Sequence, residues 1–208
     1  MDTIILKKYF PEMTGLQMQR FDALGELYSD WNAKINVISR KDIVNLYEHH
    51  ILHSLSIAQF IRFQDETRVM DVGTGGGFPG IPLAILFPKV SFHLIDSIGK
   101  KIKVAQSVAD ALGLNNVSTR HGRIEEEKNI FDFVVSRAVM TLPELAKLVR
   151  KNIGKTHRNA LPNGLICLKG GDLRKETASF GRLVIITELK DYFDQDYFET
   201  KKIIYIPL

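Results

Sequence analysis

Cysteine occurs once in this sequence, at position 167. One thiol cannot close an internal disulfide, so a cross-linked framework is excluded and a reducing compartment is the expected home. Long apolar runs are also missing. The longest candidate, Phe78 to Phe87, is interrupted by Pro79 and Pro82 and falls well short of the roughly 20 residues that cross a bilayer. The opening stretch MDTIILKKYFPEM lacks the charged, apolar, small-residue order of a secretory signal. A cytoplasmic protein with no membrane partner is therefore expected. Neither sign of charge dominates: 28 Lys and Arg stand against 24 Asp and Glu, a formal net charge of +4. That balance permits a nucleic-acid partner without requiring one. Internal repeats and low-complexity segments are absent, which removes solenoid and disordered classes.

What is present suffices for a full core. With 208 residues, 45% of them hydrophobic, the chain suits one α/β domain with an appendage. Up to about residue 65 no period-2 strand appears. Phe21, Leu24, Leu27, Tyr28 and Trp31 recur at three- and four-residue spacing, as one face of a helix does. Thr14 is placed as its N-cap, with Gln17 three residues on as a capping-box partner. A second helical pattern runs over 43–62 through Leu46, Leu55, Ile57 and Phe60. The reading is a helical N-terminal extension over 1–65 and a second unit over 66–208.

From Arg68 the pattern changes. Short apolar runs at 68–72, 91–95, 116–120, 131–136 and 164–169 alternate with helical patterns at 79–87, 98–112, 141–152 and 172–180. This alternation predicts a mostly parallel sheet covered on both faces. The runs at 183–187 and 202–206 have only a polar loop between them. They predict an antiparallel pair closing one edge, seven strands in all.

After the first of these runs comes M70-D71-V72-G73-T74-G75-G76-G77-F78-P79-G80. Such glycines give a tight turn, positive φ and close approach of backbone to a ligand. Read from Gly75, the loop is the G-x-G-x-x-G of dinucleotide sites, with Asp96 ending the next strand. Read from Asp71, it is the D-x-G-x-G-x-G that holds S-adenosylmethionine in class I methyltransferases. A pyrophosphate at the helix N-terminus gains nothing from an acid beside it. A cofactor carrying a sulfonium and an ammonium tolerates one, so Asp71 tips the choice toward S-adenosylmethionine. Asp96 is placed to accept both ribose hydroxyls of either cofactor.

With these segments the chain resembles the small-subunit ribosomal RNA guanine-N7 methyltransferase family, also called the glucose-inhibited division protein B family. The likeness rests on the glycine loop, on L94-I95-D96-S97-I98-G99-K100-K101, N36-V37-I38-S39, H50-I51-L52 and V135-S136-R137-A138, and on L168-K169-G170. It spans residues 30 to 175. It implies a class I, Rossmann-like S-adenosylmethionine-dependent methyltransferase fold with a helical N-terminal extension. It also implies methyl transfer to N7 of a guanine in the 530 loop of 16S rRNA, with the small ribosomal subunit as partner. Nothing in the sequence demands a dimer, so a monomer is expected. By the same resemblance Gly73, Thr74, Gly75, Gly77 and Phe78 line the cofactor, Asp96 holds its ribose with Ser97 alongside, and Ile124 and Glu125 flank the adenine. Arg137, which also reaches the cofactor, is the residue assigned to catalysis. The chain departs from the family's H-x-x-D-S by carrying H50-I51-L52-H53-S54, a mostly neutral group in place of a negative one.

The chemistry agrees with the composition of the site. Guanine N7 has a lone pair and no proton, so alignment and desolvation suffice and no acid–base pair is needed. Methylation of cytosine C5 needs a cysteine nucleophile, and Cys167 sits inside an apolar run as a small core residue does. Amine methylation commonly uses an Asp/Asn-Pro-Pro-aromatic loop after the fourth strand, where this chain has S136-R137-A138-V139. Arg137, just past that strand, is expected to point into the crevice and pair bidentately with a carboxylate or phosphate. Lys147, Arg150, Lys151, Lys155, His157 and Arg158 form the strongest candidate for backbone phosphate contact. His49 and His53 are four apart, but no cluster of further ligands accompanies them, so no metal is expected and His50 reads as packed or RNA-facing. Three alternatives stay open: a methyltransferase of another RNA or a small molecule, a nicotinamide-dependent oxidoreductase, and a non-catalytic ribosome-associated protein.

Overall fold

The computed structural model describes residues 3–137 and 139–208; Ala138 of the S-R-A-V motif lies outside them. After α1 (Thr3–Tyr9) comes α2 (Gly15–Lys34). Its start is the predicted capping box: the Thr14 hydroxyl accepts from the Gln17 amide, and Gln17 Oε1 accepts from the Thr14 amide at 2.8 Å. Phe21, Leu24 and Tyr28 are buried, with Leu27 and Trp31 packed at the margin.

The second helical stretch is not one amphipathic helix. It comprises a 3₁₀ turn (Ile43–Asn45), a π-helical turn (Leu46–Leu52) and two short pieces, α3 (His53–Leu55) and α4 (Ile57–Phe60). Apolar spacing alone cannot report this, because a wider turn still buries Leu46, Ile51, Leu52 and Leu55.

Strand and helix then alternate through β1 (Arg68–Val72), α5 (Gly80–Leu86), β2 (Ser91–Asp96), α6 (Gly99–Ala111), β3 (Val117–His121), β4 (Phe133–Arg137), α7 (Leu142–Val149) and β5 (Gly164–Gly170). The chain ends with α8 (Arg174–Thr177), β6 (Ile185–Glu188) and β7 (Lys201–Pro207). The seven strands lie in the order β3-β2-β1-β4-β5-β7-β6. The β1, β2, β3, β4 and β5 neighbours are parallel, and β7 runs antiparallel between β5 and β6. This is the predicted sheet and edge. Central strands are apolar on both faces, as a doubly covered parallel sheet requires, while edge strand β3 alternates toward solvent. The strand expected to begin at 131 begins at Phe133, because Phe131 pairs instead with Ile153. The helix expected over 172–180 is one short turn that continues as 3₁₀.

Two apolar layers sandwich the sheet. One joins α2, the π-helical turn and α3 to Val69, Phe78, Ile81, Phe92 and Val108, so the extension and the sheet share a core. The other joins Met70, Val72, Ile95 and Val134 to α7. Strand order reverses between β1 and β4, and ligands of open α/β sheets bind at the carboxyl ends of the strands flanking that point. The glycine loop leaves β1 there, and Arg137 ends β4 there. Among the described residues no helix is long and apolar enough to cross a membrane.

Candidate active site

Gly73, Gly75 and Gly77 all take positive φ, 67°, 57° and 113°. Gly73 is further constrained by crowding: a Cβ there would lie 2.3 Å from a methyl of Val139. The amides of Gly73 and Thr74 both donate to the Ile95 carbonyl, at 2.8 and 3.2 Å, tying the loop to the end of β2. Asp71 faces inward. It is wholly buried, and its Oδ2 accepts from the Thr74 hydroxyl at 2.6 Å and the Gly80 amide at 2.8 Å. The acid thus staples the two ends of the loop rather than meeting a ligand's positive charge, which corrects the electrostatic reason for choosing the cofactor. Burial outweighs those hydrogen bonds and the Arg137 charge, pushing this carboxyl up to about 7. Its Oδ1 is buried without a hydrogen-bond partner.

Asp96 is the acid at the crevice. Its Oδ2 accepts from the Gly75 amide and its Oδ1 from the Ile98 amide, both at 2.8 Å. Two backbone donors fix the carboxylate while lone pairs remain on each oxygen for further hydroxyls. Open space lies above Gly75, where a Cβ would meet nothing within 4 Å. An oriented acceptor beside an unobstructed glycine backbone fits the ribose of S-adenosylmethionine. Ser97 follows, exposed. Ile124 packs inward with Ile95 and Val72, while Glu125, next to it in the 3₁₀ turn Ile124–Glu126, is exposed.

Arg137 is not free to reach outward with its whole guanidinium. Its Nη1 donates to the His49 carbonyl at 3.1 Å and its Nη2 to His50 Nδ1 at 3.0 Å. Its Cζ lies 5.3 Å from the Phe78 ring centroid, a cation–π arrangement. Phe78 in turn packs on Tyr28, whose hydroxyl donates to the Gly76 carbonyl at 2.8 Å. Sequence reasoning singled out Arg137 and the glycine loop but missed this connection to the extension. It also missed Asp42 and Tyr197. The Asp42 carboxylate accepts from His49 Nδ1 at 2.6 Å and His50 Nε2 at 2.7 Å. Although burial opposes the charge, hydrogen bonds from Asn45 and the two imidazoles hold this carboxyl down at about 2. Tyr197 stacks on His49, ring centroids 3.9 Å apart, and its hydroxyl donates to the His49 carbonyl at 3.2 Å. His53 is buried beneath, 3.0 Å from the Tyr197 hydroxyl. Burial drives its imidazole well below the ordinary range, so the residue replacing the family's usual aspartate is a neutral interior group. His49 and His53 do not converge as a ligand pair, and no group of three or more His, Cys, Asp or Glu among the described residues could hold a metal.

Most of the basic segment does not lie at this site. Residues 153–159 sit where the strands begin: Ile153 bridges Phe131, Asn159 accepts from the Gln64 amide, and Arg158 pairs with Glu66 at 3.8 Å. Lys151 is the exception, its Nζ donating to the Glu125 carbonyl. A helix following β4 must run back along the sheet, so its basic end reaches the amino edge while the crevice is at the carboxyl edge. Exposed cations on the crevice side include Lys100 at the start of α6 and Arg123 after β3, with Arg40 in the segment whose Val37 covers Gly76. A cavity of about 710 Å³, lined by Phe10, Met13, Phe63 and Phe87 among others, also lies at the amino edge.

The sheet order, the glycine loop after the first strand and the oriented acid after the second define a class I S-adenosylmethionine-dependent methyltransferase. Solved structures share this fold. One is an S-adenosylmethionine-dependent O-methyltransferase of Thermotoga maritima (TM-score 0.60, 14% identity, 80% of this chain and 70% of that one). Another is an S-adenosylmethionine-dependent methyltransferase of Aquifex aeolicus (TM-score 0.55, 16% identity, 81% and 98%). The chain belongs to the GidB family, rRNA small subunit methyltransferase G, whose pattern matches residues 17–202. It is 65% identical to ribosomal RNA small subunit methyltransferase G of Parabacteroides distasonis over 98% of this chain and 89% of that one. The protein of the same description from Flavobacterium johnsoniae is 53% identical over 100% and 98%.

Proposed function

We propose that this chain transfers the methyl group of S-adenosylmethionine to N7 of a guanine in the 530 loop of 16S rRNA, acting as a cytoplasmic monomer. The observation that carries this reading is the makeup of the crevice: an oriented carboxylate and a held guanidinium, with no thiol nucleophile beside them among the described residues. Cys167 is buried in β5, and burial pushes its thiol up to about 12, which does not serve a ring-activating nucleophile.

The backbone of Gly73, Thr74, Gly75 and Gly77, the ring of Phe78 and the carboxylate of Asp96 would hold the cofactor, with Ser97, Ile124 and Glu125 toward its adenosine end. Bound there, the cofactor supplies an electrophilic methyl group on a sulfonium. Guanine N7 presents a lone pair without a proton, so the protein has to orient and desolvate. Holding two reactants in line can lower a barrier by about 7–11 kcal/mol. Arg137 supplies a fixed positive group beside Phe78, suited to a carboxylate or phosphate of either reactant.

Incubation with radiolabelled S-adenosylmethionine and unmodified 16S rRNA or 30S subunits, followed by 7-methylguanosine-specific strand cleavage, tests this. Cleavage at a single guanine of the 530 loop is expected. Label elsewhere in the RNA would retain a methyltransferase and discard this substrate.

A further inference from the structure

The mechanism leaves unexplained why the extension abandons α-helical geometry where it meets the carboxyl end of β4. In a regular helix the His49 carbonyl would accept from the His53 amide. Here the His53 amide donates to the carbonyls of Glu48 and His50. The His49 carbonyl is thereby released from the helical ladder, and it accepts from Arg137 Nη1 and from the Tyr197 hydroxyl. Single π-helical turns recur at functional sites for this reason: they re-aim groups that the ladder would consume.

We infer that the π-helical turn Leu46–Leu52, with Asp42 and His50, is a positioning device for Arg137, so that the N-terminal extension completes the transfer site. The inference rests on the reading of Arg137 as a site residue.

The hydrogen-bond chemistry allows one arrangement. A guanidinium only donates, so His50 Nδ1 must present its lone pair to Arg137 Nη2. The hydrogen of the neutral ring then sits on Nε2 and is donated to Asp42 Oδ2, at 2.7 Å. Asp42 selects the tautomer, and the tautomer holds the arginine. Burial and the charge of Arg137 bring the His50 imidazole down to about 4, so that lone pair persists at neutral pH. His50 also packs edge-on against Phe78, ring centroids 5.4 Å apart, which seats the same residues against the glycine loop. Two of the five guanidinium donors are spent on the extension, and the rest remain for a reactant.

The test compares His50→Ala, His50→Asn, His50→Gln, Arg137→Ala and the double variant His50→Ala/Arg137→Ala in single-turnover methylation of 30S subunits. Asn places an amide oxygen near the Nδ1 position and can still accept from Arg137; Gln places its amide near Nε2 and cannot. We expect His50→Ala to slow transfer on the order of 10- to 100-fold, the scale of a misplaced positioning group. His50→Asn should recover most of the rate and His50→Gln little. In the Arg137→Ala background, His50→Ala should add no further loss, since a residue acting through Arg137 has nothing left to act on. Multiplying losses in the double variant, or equal behaviour of Asn and Gln, would overturn the inference. A fold-level defect would appear instead as additive losses with a lowered Tm.

A second readout does not depend on activity. In ¹⁵N spectra the Arg137 guanidinium should show restricted rotation in the wild type and averaged resonances in His50→Ala. Averaged resonances in both would also overturn the inference. If the wild type transfers no methyl to 30S or free 16S rRNA, the proposed function fails, and the spectra still decide whether His50 holds Arg137.

Discussion

Asp71 holds the glycine loop from inside, and its burial makes that role sensitive to pH. With the carboxyl raised from its ordinary 3.8 to about 7, the folded chain keeps a proton that the unfolded chain gives up between those values. Stability from this group is therefore complete below about pH 4 and lost as pH rises through about 7. Asp71→Asn keeps an acceptor for Thr74 and Gly80 and removes the titration. We expect its Tm to improve relative to the wild type on going from about pH 5 to about pH 8; a difference that stays flat would refute the assignment. Cys167 offers a simpler check. A buried thiol raised to about 12 is expected to resist alkylation at pH 8 until denaturant is added. Labelling of the native protein at the rate of a free thiol would contradict its place in the core.

Among the elements, α2 and α5 depend on one side chain. Gln17 closes the capping box of α2, and its amide nitrogen also donates to the carbonyls of Ile85 and Leu86, at 3.1 and 2.9 Å, in the last turn of α5. Gln17→Ala removes a cap at both places and should destabilise by about 1–2 kcal/mol. For a chain of this size that lowers Tm by roughly 2–4 °C per kcal/mol, measurable by thermal melting. Loss of only a few tenths would mean that water replaces the side chain at α5. The capping half of this role is legible in Thr14 and Gln17, because a box is a contact between residues three apart. The α5 half is not, since Gln17 and Ile85 are 68 positions apart. The same limit explains the 43–62 stretch: its apolar spacing predicts a helix, but the π geometry answers to Arg137, 88 positions from His49.

At the scale of the whole molecule, charge is divided between two edges of the sheet. The later part of the basic run, through Arg158, faces the amino edge, so Lys155→Glu with Arg158→Glu should leave the KM for 30S subunits unchanged. Lys100→Glu with Arg123→Glu, on the crevice side, should raise KM. If both contact phosphates, they should also flatten the salt dependence of RNA binding by about two in slope. Binding titrations at several salt concentrations check this. A larger effect from the 150–158 pair would mean that RNA wraps to the amino edge.

The sequence by itself determined the strand–helix alternation, the antiparallel edge, the capped helix of the extension, the glycine loop and Asp96 after β2. Each of these is written in short-range terms: period, cap, positive φ, or the residue at a strand's end. Only the tertiary structure decided that Asp71 turns inward, that most of the densest basic run lies away from the crevice, and that Asp42, His50 and Tyr197 gather around Arg137. Those outcomes depend on which faces pack together and on where a returning helix ends. Contacts between residues dozens of positions apart leave no local pattern, because what selects them is the burial of polar groups that must then find partners.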